Sequence, residues 1–373
     1  RGNSGGIPLR DEDITVAEVL KGAGYATGGF GKWGQGEVGT SGVPEKQGFD
    51  TFAGYYHQIH AHFYYPEYLW MNSNKWDLPG NQVNDRYPGD GMGQRNQYAP
   101  DELLKLAENF IRANADRPFF CYLPTIIPHV ELAVPDQDLI EKYRARFGDE
   151  EPFYDSRPGY MGSPHPMASY AAMVEHMDNN VGKVMDLLKE LGLDDDTIVI
   201  FTSDNGAQGS YGRGKSRFFE SFEPMKPYRA SKGSMYEGGI RVPMIARWPG
   251  RIDAGAVNDS LAWYFADILP TFAELAGVKP PAGLDGMSVV PSLIGEKAAG
   301  HKQRQHDYLY WEMPSQKGLR QALRMGHWKI VRETGGGALE LYDLNTDPGE
   351  SNNVASSNPD VMKKVERILA NCR

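Results

Sequence analysis

Short apolar runs that end abruptly in polar residues constrain this chain most. Residues 118–123 and 197–201 are continuous and brief and read as buried strands, and residues 25–30 read as a further strand. Helical patterns lie between them. Thr15 or Asp13 caps a helix beginning at Val16, and Gly22 and Gly24 stop it. Residues 101–115 place Leu103, Leu104, Leu106, Ala107, Phe110 and Ile111 on one side. A long helix at about 167–191 carries Met173, Met177, Val181, Val184, Leu187 and Leu188, and another spans 262–276 before Gly277. Strands alternating with helices predict an α/β fold, with a mostly parallel sheet sandwiched by helices. From about residue 296 the spacing changes. Segments 308–312, 321–325, 328–331 and 339–342 read as closely spaced strands, followed by a helix at about 359–370, a smaller antiparallel sheet with one packed helix. The expected domains are 1–295 and 296–373.

Other stretches show little periodicity. Residues 37–100 are rich in Gly, Pro, Asn, Tyr and Trp and read as long loops with too many aromatics for disorder. Residues 131–167 read as a polar insertion, and 207–231 as a polar loop. Asp194-Asp195-Asp196 reads as a solvated turn, since three adjacent carboxylates cannot all point at one ion. A net charge of −10, from 39 Lys+Arg against 49 Asp+Glu, argues against nucleic acid or an anionic membrane as partner. Cys121 and Cys372 make no disulfide framework, and Cys121 reads as a buried structural thiol. No apolar run reaches membrane-spanning length. The start, Arg1-Gly2-Asn3-Ser4-Gly5-Gly6, lacks Met and reads as the middle of a loop, so a processed or truncated chain is expected.

The strand exits carry the chemistry. Val199-Ile200-Phe201 leads to Asp204, Asn205 and Gly206. Taken alone, the hexapeptide Phe201-Thr202-Ser203-Asp204-Asn205-Gly206 favours an Asn-Gly turn. A carboxylate beside an amide carbonyl also offers two hard oxygen ligands for Ca²⁺ or Mg²⁺. Lys32 follows the strand at 25–30, His129 follows the strand at 118–123, and Lys232 lies beyond residue 205. An open α/β sheet gathers such exits at one edge. Two ammonium groups and an imidazole beside a cation suit a tetrahedral oxyanion, sulfate or phosphate. Each residue has a plainer role to set against this: a surface lysine, a capping or core histidine, a loop charge.

In their order along the chain, these pieces resemble the formylglycine-dependent type I sulfatases of the alkaline-phosphatase-like superfamily. The matching segments are residues 15–27, Gly31-Lys32-Trp33-Gly34, Gly48-Phe49-Asp50, Pro128-His129, Thr202 to Gly206, 232–243 and 341–350. The style is that of arylsulfatase-A-like and N-acetylgalactosamine-6-sulfatase-like enzymes. The resemblance implies that Asp204 and Asn205 bind one Ca²⁺, with Mg²⁺ as the alternative ion. It implies that Lys32 and Lys232 hold sulfate oxygens and that His129 contacts sulfate and assists the leaving group. Glu237 and Arg241 would be structural. A sulfate-ester small molecule or glycan is the implied partner, with no nucleic acid and no membrane, in a periplasmic or secreted setting. The aromatic loop at 55–70 would line the pocket, with Gln58, His60 and His62 as substrate-contact candidates.

Two departures qualify the resemblance. Gly34 stands where many members have a histidine that helps the nucleophile, and His60 or His62 is a candidate replacement. No Cys/Ser-x-Pro/Ala-x-Arg sequence occurs, and the paired Asp-Asp metal motif of the first strand is also missing. The resemblance therefore implies a formylglycine and further metal ligands N-terminal to Arg1, with negligible activity and weak Ca²⁺ binding by these 373 residues alone. The alternatives are a phosphomonoesterase or phosphodiesterase of the same superfamily and a non-catalytic sulfoglycan-binding protein.

Overall fold

The computed structural model describes residues 7–82, 94–129, 131–153, 162–209 and 226–372. The chain divides into two units, Arg1–Thr197 with Ala266–Ser288 and Ile198–Phe265 with Val289–Arg373.

In the first unit, α1 (Val16–Gly22) starts at Thr15. The Glu18 N–H donates to Thr15 Oγ1 and the Thr15 N–H donates to the Glu18 carboxylate, a reciprocal cap that satisfies two orphan donors. The chain turns into β1 (Ala26–Lys32), which pairs in parallel with β2 (Thr51–Tyr55) and with β5 (Phe119–Tyr122). The hairpin of β3 (Tyr68–Met71) and β4 (Asn74–Asp77) extends this sheet antiparallel, giving the order β4-β3-β2-β1-β5. Glycine permits the parallel contact: Gly31 pairs with Gly54, and a Cβ on Gly54 would lie 1.8 Å from the Gly31 carbonyl oxygen. Phe52 and Tyr56 pack with Val43, Trp33 and Trp70.

Helix α2 (Ala99–Ala113) buries Leu103, Leu104, Ala107 and Ile111, the stripe its periodicity predicts. Helices α3 (Gln137–Phe147) and α4 (Pro166–Glu190) follow, and α5 (Ile268–Leu275) returns to this unit. Two loop expectations are corrected here. Residues 37–100 contain β2, β3 and β4, and 131–167 contain α3. The three strands are only four or five residues long and alternate weakly. Helix α3 buries no residue, so it has no apolar stripe. It is held by Asp136, which accepts from the N–H groups of Asp138 and Leu139, and by Lys142, 2.6 Å from Glu175 of α4. Cys121 lies half-buried on β5, and its desolvation pushes the thiol up to about 12.

In the second unit, β6 (Val199–Thr202) and β7 (Met244–Arg247) form an antiparallel pair. Strands β8 (Leu309–Ser315), β9 (Gly318–Met325), β10 (Trp328–Arg332) and β11 (Glu340–Asp343) form an antiparallel sheet in the order β11-β10-β9-β8. Its side chains alternate between two packed faces. Leu323, Ile330 and Leu341 meet Val365 of α6 (Pro359–Asn371). Ala322, Val331 and Tyr342 meet Met235 and Tyr236. The α/β class and the C-terminal sheet with its helix are as expected. Among the described residues no helix is long and apolar enough to cross a membrane.

Candidate functional site

Because β2, β1 and β5 run parallel, their C-terminal ends open on one edge of the first sheet. Lys32 ends β1, half-buried, and its N–H donates to the Pro124 carbonyl at 2.8 Å, tying it to the segment that leaves β5. That segment carries His129 after a cis Ile127–Pro128 bond. The buried Tyr64 hydroxyl donates to the carbonyls of Ile126 and His129 at 3.1 and 2.7 Å, which fixes the backbone beneath the imidazole. The exit of β2 leads through His57 and Gln58 into a 3₁₀ turn, His60–His62.

That turn splits the two histidine candidates. His62 stacks on His129, with ring centroids 4.4 Å apart and planes 22° apart. His60 packs on Tyr55 and Tyr68 at 5.2 and 4.6 Å, and burial, then the nearby His57, pushes its pKa down to about 4. At neutral pH His60 is therefore an uncharged imidazole. Gly34 has φ +78°, where an L side chain is strained, and a Cβ there would lie 3.0 Å from Gln58 Cγ. The local backbone thus disfavours any side chain at position 34, and Gln58 borders the space beside it.

The other candidates belong to the second unit. Asp204 is exposed and Asn205 half-buried just beyond β6. The Asn205 amide nitrogen donates to the Gly206 carbonyl at 3.1 Å, which directs that nitrogen to the backbone. Gly206 donates its N–H to the Gly239 carbonyl at 3.0 Å, and a Cβ on Gly206 would lie 1.9 Å from the Gly238 carbonyl oxygen. The Lys232 N–H donates to the Ala207 carbonyl at 2.9 Å, so Lys232 is fastened beside the Asp204 corner. Desolvation lowers the Lys232 pKa, and the Asp204 charge partly offsets this. A partly dehydrated ammonium is a stronger partner for an anion than a solvated one. The remainder of the 207–231 loop, residues 210–225, lies outside the described residues.

A buried ion cluster anchors this corner. Glu237, whose turn supplies Gly238 and Gly239, is 5% exposed. Lys329 of β10, 0% exposed, donates to Glu237 Oε1 at 2.6 Å and lies 3.6 Å from Glu350 Oε1. Arg241 and Arg324 add contacts to Glu237 at 3.4 and 3.6 Å. The Glu237 N–H donates to Glu350 Oε2 at 2.7 Å. The sequence marked the Glu237–Arg241 pairing and missed Lys329, Arg324 and Glu350. A charged residue in the apolar Trp328-Lys329-Ile330-Val331 strand was the available signal.

Glu350 is driven up to about 7 by desolvation, against the pull of Lys329, while cations hold Glu237 below its ordinary value despite burial. Between the ordinary 4.5 and about 7 the folded state binds more protons at Glu350 than the unfolded state does. Stability should therefore fall as pH rises through that window. In Glu350→Gln the decline should be absent, with a difference of up to about 3 kcal/mol above the window. Denaturant midpoints of both proteins from pH 4.5 to 8, near the bounds of that window, measure it, and parallel curves would contradict it.

Asp204 and Asn205 fit a hard divalent cation in kind, with one carboxylate and one amide oxygen, but supply two of the roughly six to eight oxygens Ca²⁺ takes. Among the described residues no group of three or more His, Cys, Asp or Glu could hold a metal ion.

Comparison with known proteins gives a consistent result. The sulfatase family model matches residues 2–278, and the model of the N-sulphoglucosamine sulphohydrolase C-terminal region matches 230–373. An uncharacterized sulfatase of Schizosaccharomyces pombe is 30% identical over 96% of this chain and 76% of its own length. Human arylsulfatase A is 31% identical over 98% of this chain and 71% of its own length. The crystal structure of Ps i-CgsB in complex with k-i-k-neocarrahexaose superposes with a TM-score of 0.77 at 25% identity, covering 100% of this chain and 76% of that one.

Proposed function

This chain belongs to the sulfatase family, and we propose that it acts on a sulfate ester of a carbohydrate, with Lys32, His129, Lys232, Asp204 and Asn205 as its site. The observation that carries this reading is a half-buried, desolvated Lys232 whose backbone is hydrogen-bonded to Ala207, three residues beyond Asp204 at the end of β6. A glycan substrate is supported by the carrahexaose bound to Ps i-CgsB and by the aromatic wall at the β2 exit. The division into a catalytic domain at 1–295 and a C-terminal subdomain at 296–373 belongs to the same reading.

Lys32 and Lys232 would hold sulfate oxygens as point charges, and His129 would give its proton to the leaving oxygen. Asp204 and Asn205 would hold Ca²⁺, which supplies charge stabilisation at the ester oxygens when bound. The family's formylglycine supplies attack on sulfur; the 373 residues contain no Cys/Ser-x-Pro/Ala-x-Arg sequence that would yield one.

His62, stacked on His129, would orient that imidazole, while His60 faces elsewhere. His62→Ala in the full-length gene product should lower kcat by about 10- to 100-fold and shift the acidic or basic limb of its pH profile, with a smaller change for His60→Ala. Equal kcat losses in the two variants would contradict this assignment. The reading as a whole is tested by hydrolysis of 4-nitrophenyl sulfate against 4-nitrophenyl phosphate. Phosphate turnover without sulfate turnover would sink it.

A further inference from the structure

A cavity of about 420 Å³ lies at the β2 exit, among Glu37, Tyr56, His57, His60, Tyr68 and Trp70. Its volume falls within the range of small-molecule sites, about 300–1,000 Å³. The aromatic wall is ordered by its own contacts. Trp70 stacks on Tyr56 at 5.5 Å and meets Tyr68 edge-on at 5.8 Å, and His60 lies 4.6 Å from Tyr68. Tyr56 is held from behind, its hydroxyl donating to Glu45 and to the Asn72 carbonyl. Tyr56 itself is 1% exposed beneath Trp70 and Lys75 Nζ lies 4.7 Å over the Tyr68 ring, so the half-buried rings of Trp70 and His60 are what the wall offers to the C–H face of a pyranose.

The polar lining is incomplete. The Ile59 N–H donates to His57 Nδ1 at 3.0 Å, so with Nδ1 accepting, Nε2 is the ring nitrogen left to donate. Nε2 is 3.6 Å from Glu37 Oε1, beyond hydrogen-bonding distance, and among the described residues this oxygen, itself covered although the Glu37 side chain is 45% exposed, has no hydrogen-bond partner. A donor and an acceptor thus stand side by side without satisfying each other. A hydroxyl group fills both roles at once, accepting from Nε2–H and donating to Oε1. The Glu37 carboxylate disfavours a sulfate in the same space.

We propose that this cavity is a subsite for an uncharged saccharide unit adjoining the sulfated one, an inference that rests on the carbohydrate-sulfatase reading above. The link to the reacting sugar is the 3₁₀ turn, which sends His60 to this cavity and His62 to His129. Selection for a neutral neighbour would then be built into the wall that stacks it.

Calorimetry on the full-length gene product tests this with neoagarotetraose, a neutral oligosaccharide, and a carrageenan tetrasaccharide sulfated on each disaccharide. Neoagarotetraose should bind the wild type, and Trp70→Ala should weaken it about 10-fold or more, while Trp70→Phe retains most of the affinity. Glu37→Gln should raise affinity for the sulfated probe relative to the neutral one. No binding of the neutral probe, equal affinity in Trp70→Ala, or an unchanged preference in Glu37→Gln would each overturn the subsite. Because these readouts need no turnover, a protein that binds neoagarotetraose in this way yet releases no sulfate from any ester would overturn the sulfatase reading alone.

Discussion

Replacing Lys329 with methionine should destabilise the protein by about 3–5 kcal/mol, the usual cost of removing one partner of a buried ion pair. Lys329 touches both Glu237 and Glu350, and all three side chains are almost wholly buried. Methionine fills the stem's volume, so the loss reports the charge and not a cavity. The double variant Lys329→Met/Glu237→Gln should lose less than the sum of the two single variants, because one change removes the charge that the other strands. Denaturant midpoints of the four proteins measure this, and additive losses would show that the contact carries no coupling. The defect should also reach the Asp204 corner, since the Glu237 turn holds Gly206 through Gly238 and Gly239.

Lys232→Ala should lower kcat/KM for a sulfate ester by about 100- to 1,000-fold, the scale seen when one preorganised group at a developing charge is removed. The effect should exceed that of an ordinary surface lysine, because Lys232 is half-buried and its backbone is fixed to Ala207. Lys232→Arg should restore only part of the rate, since a planar guanidinium places its donors differently from a compact ammonium. An unchanged kcat/KM in Lys232→Ala would remove this residue from the site.

Much of the fold was legible. The stripe of α2, the long α4 and the four-strand C-terminal sheet appear close to where periodicity put them, because each buries one face and exposes or packs the other. β2 was not legible. It is a five-residue run interrupted by Gly54, and that glycine is explained only by the approach of Gly31 from another strand. Missing β2 also hid that the His57–His62 segment is a strand exit. α3 escaped for the opposite reason, since a helix with no buried residue leaves no apolar period. Of the proposed site, Lys32, His129, Asp204 and Asn205 stand out in the sequence as polar residues at strand exits and Lys232 as a loop charge; only β1 of those strands is buried, while β5 and β6 are half-buried, against the expectation of buried strands. Lys329, Arg324 and Glu350 were not, because their role depends on pairing with Glu237 about 90 to 115 positions away in sequence, a long-range contact that no local pattern encodes.

The central claim is that Asp204 and Asn205 form a metal corner serving sulfate-ester hydrolysis, and calcium dependence tests it most directly. The full-length gene product, stripped with chelator, should lose hydrolysis of 4-nitrophenyl sulfate and regain it on Ca²⁺ titration. Asp204→Ala should need about 10- to 100-fold more Ca²⁺ for half-recovery, the loss expected when a ligand or its support is removed. A Ca²⁺ titration identical to that of the wild type would contradict the claim.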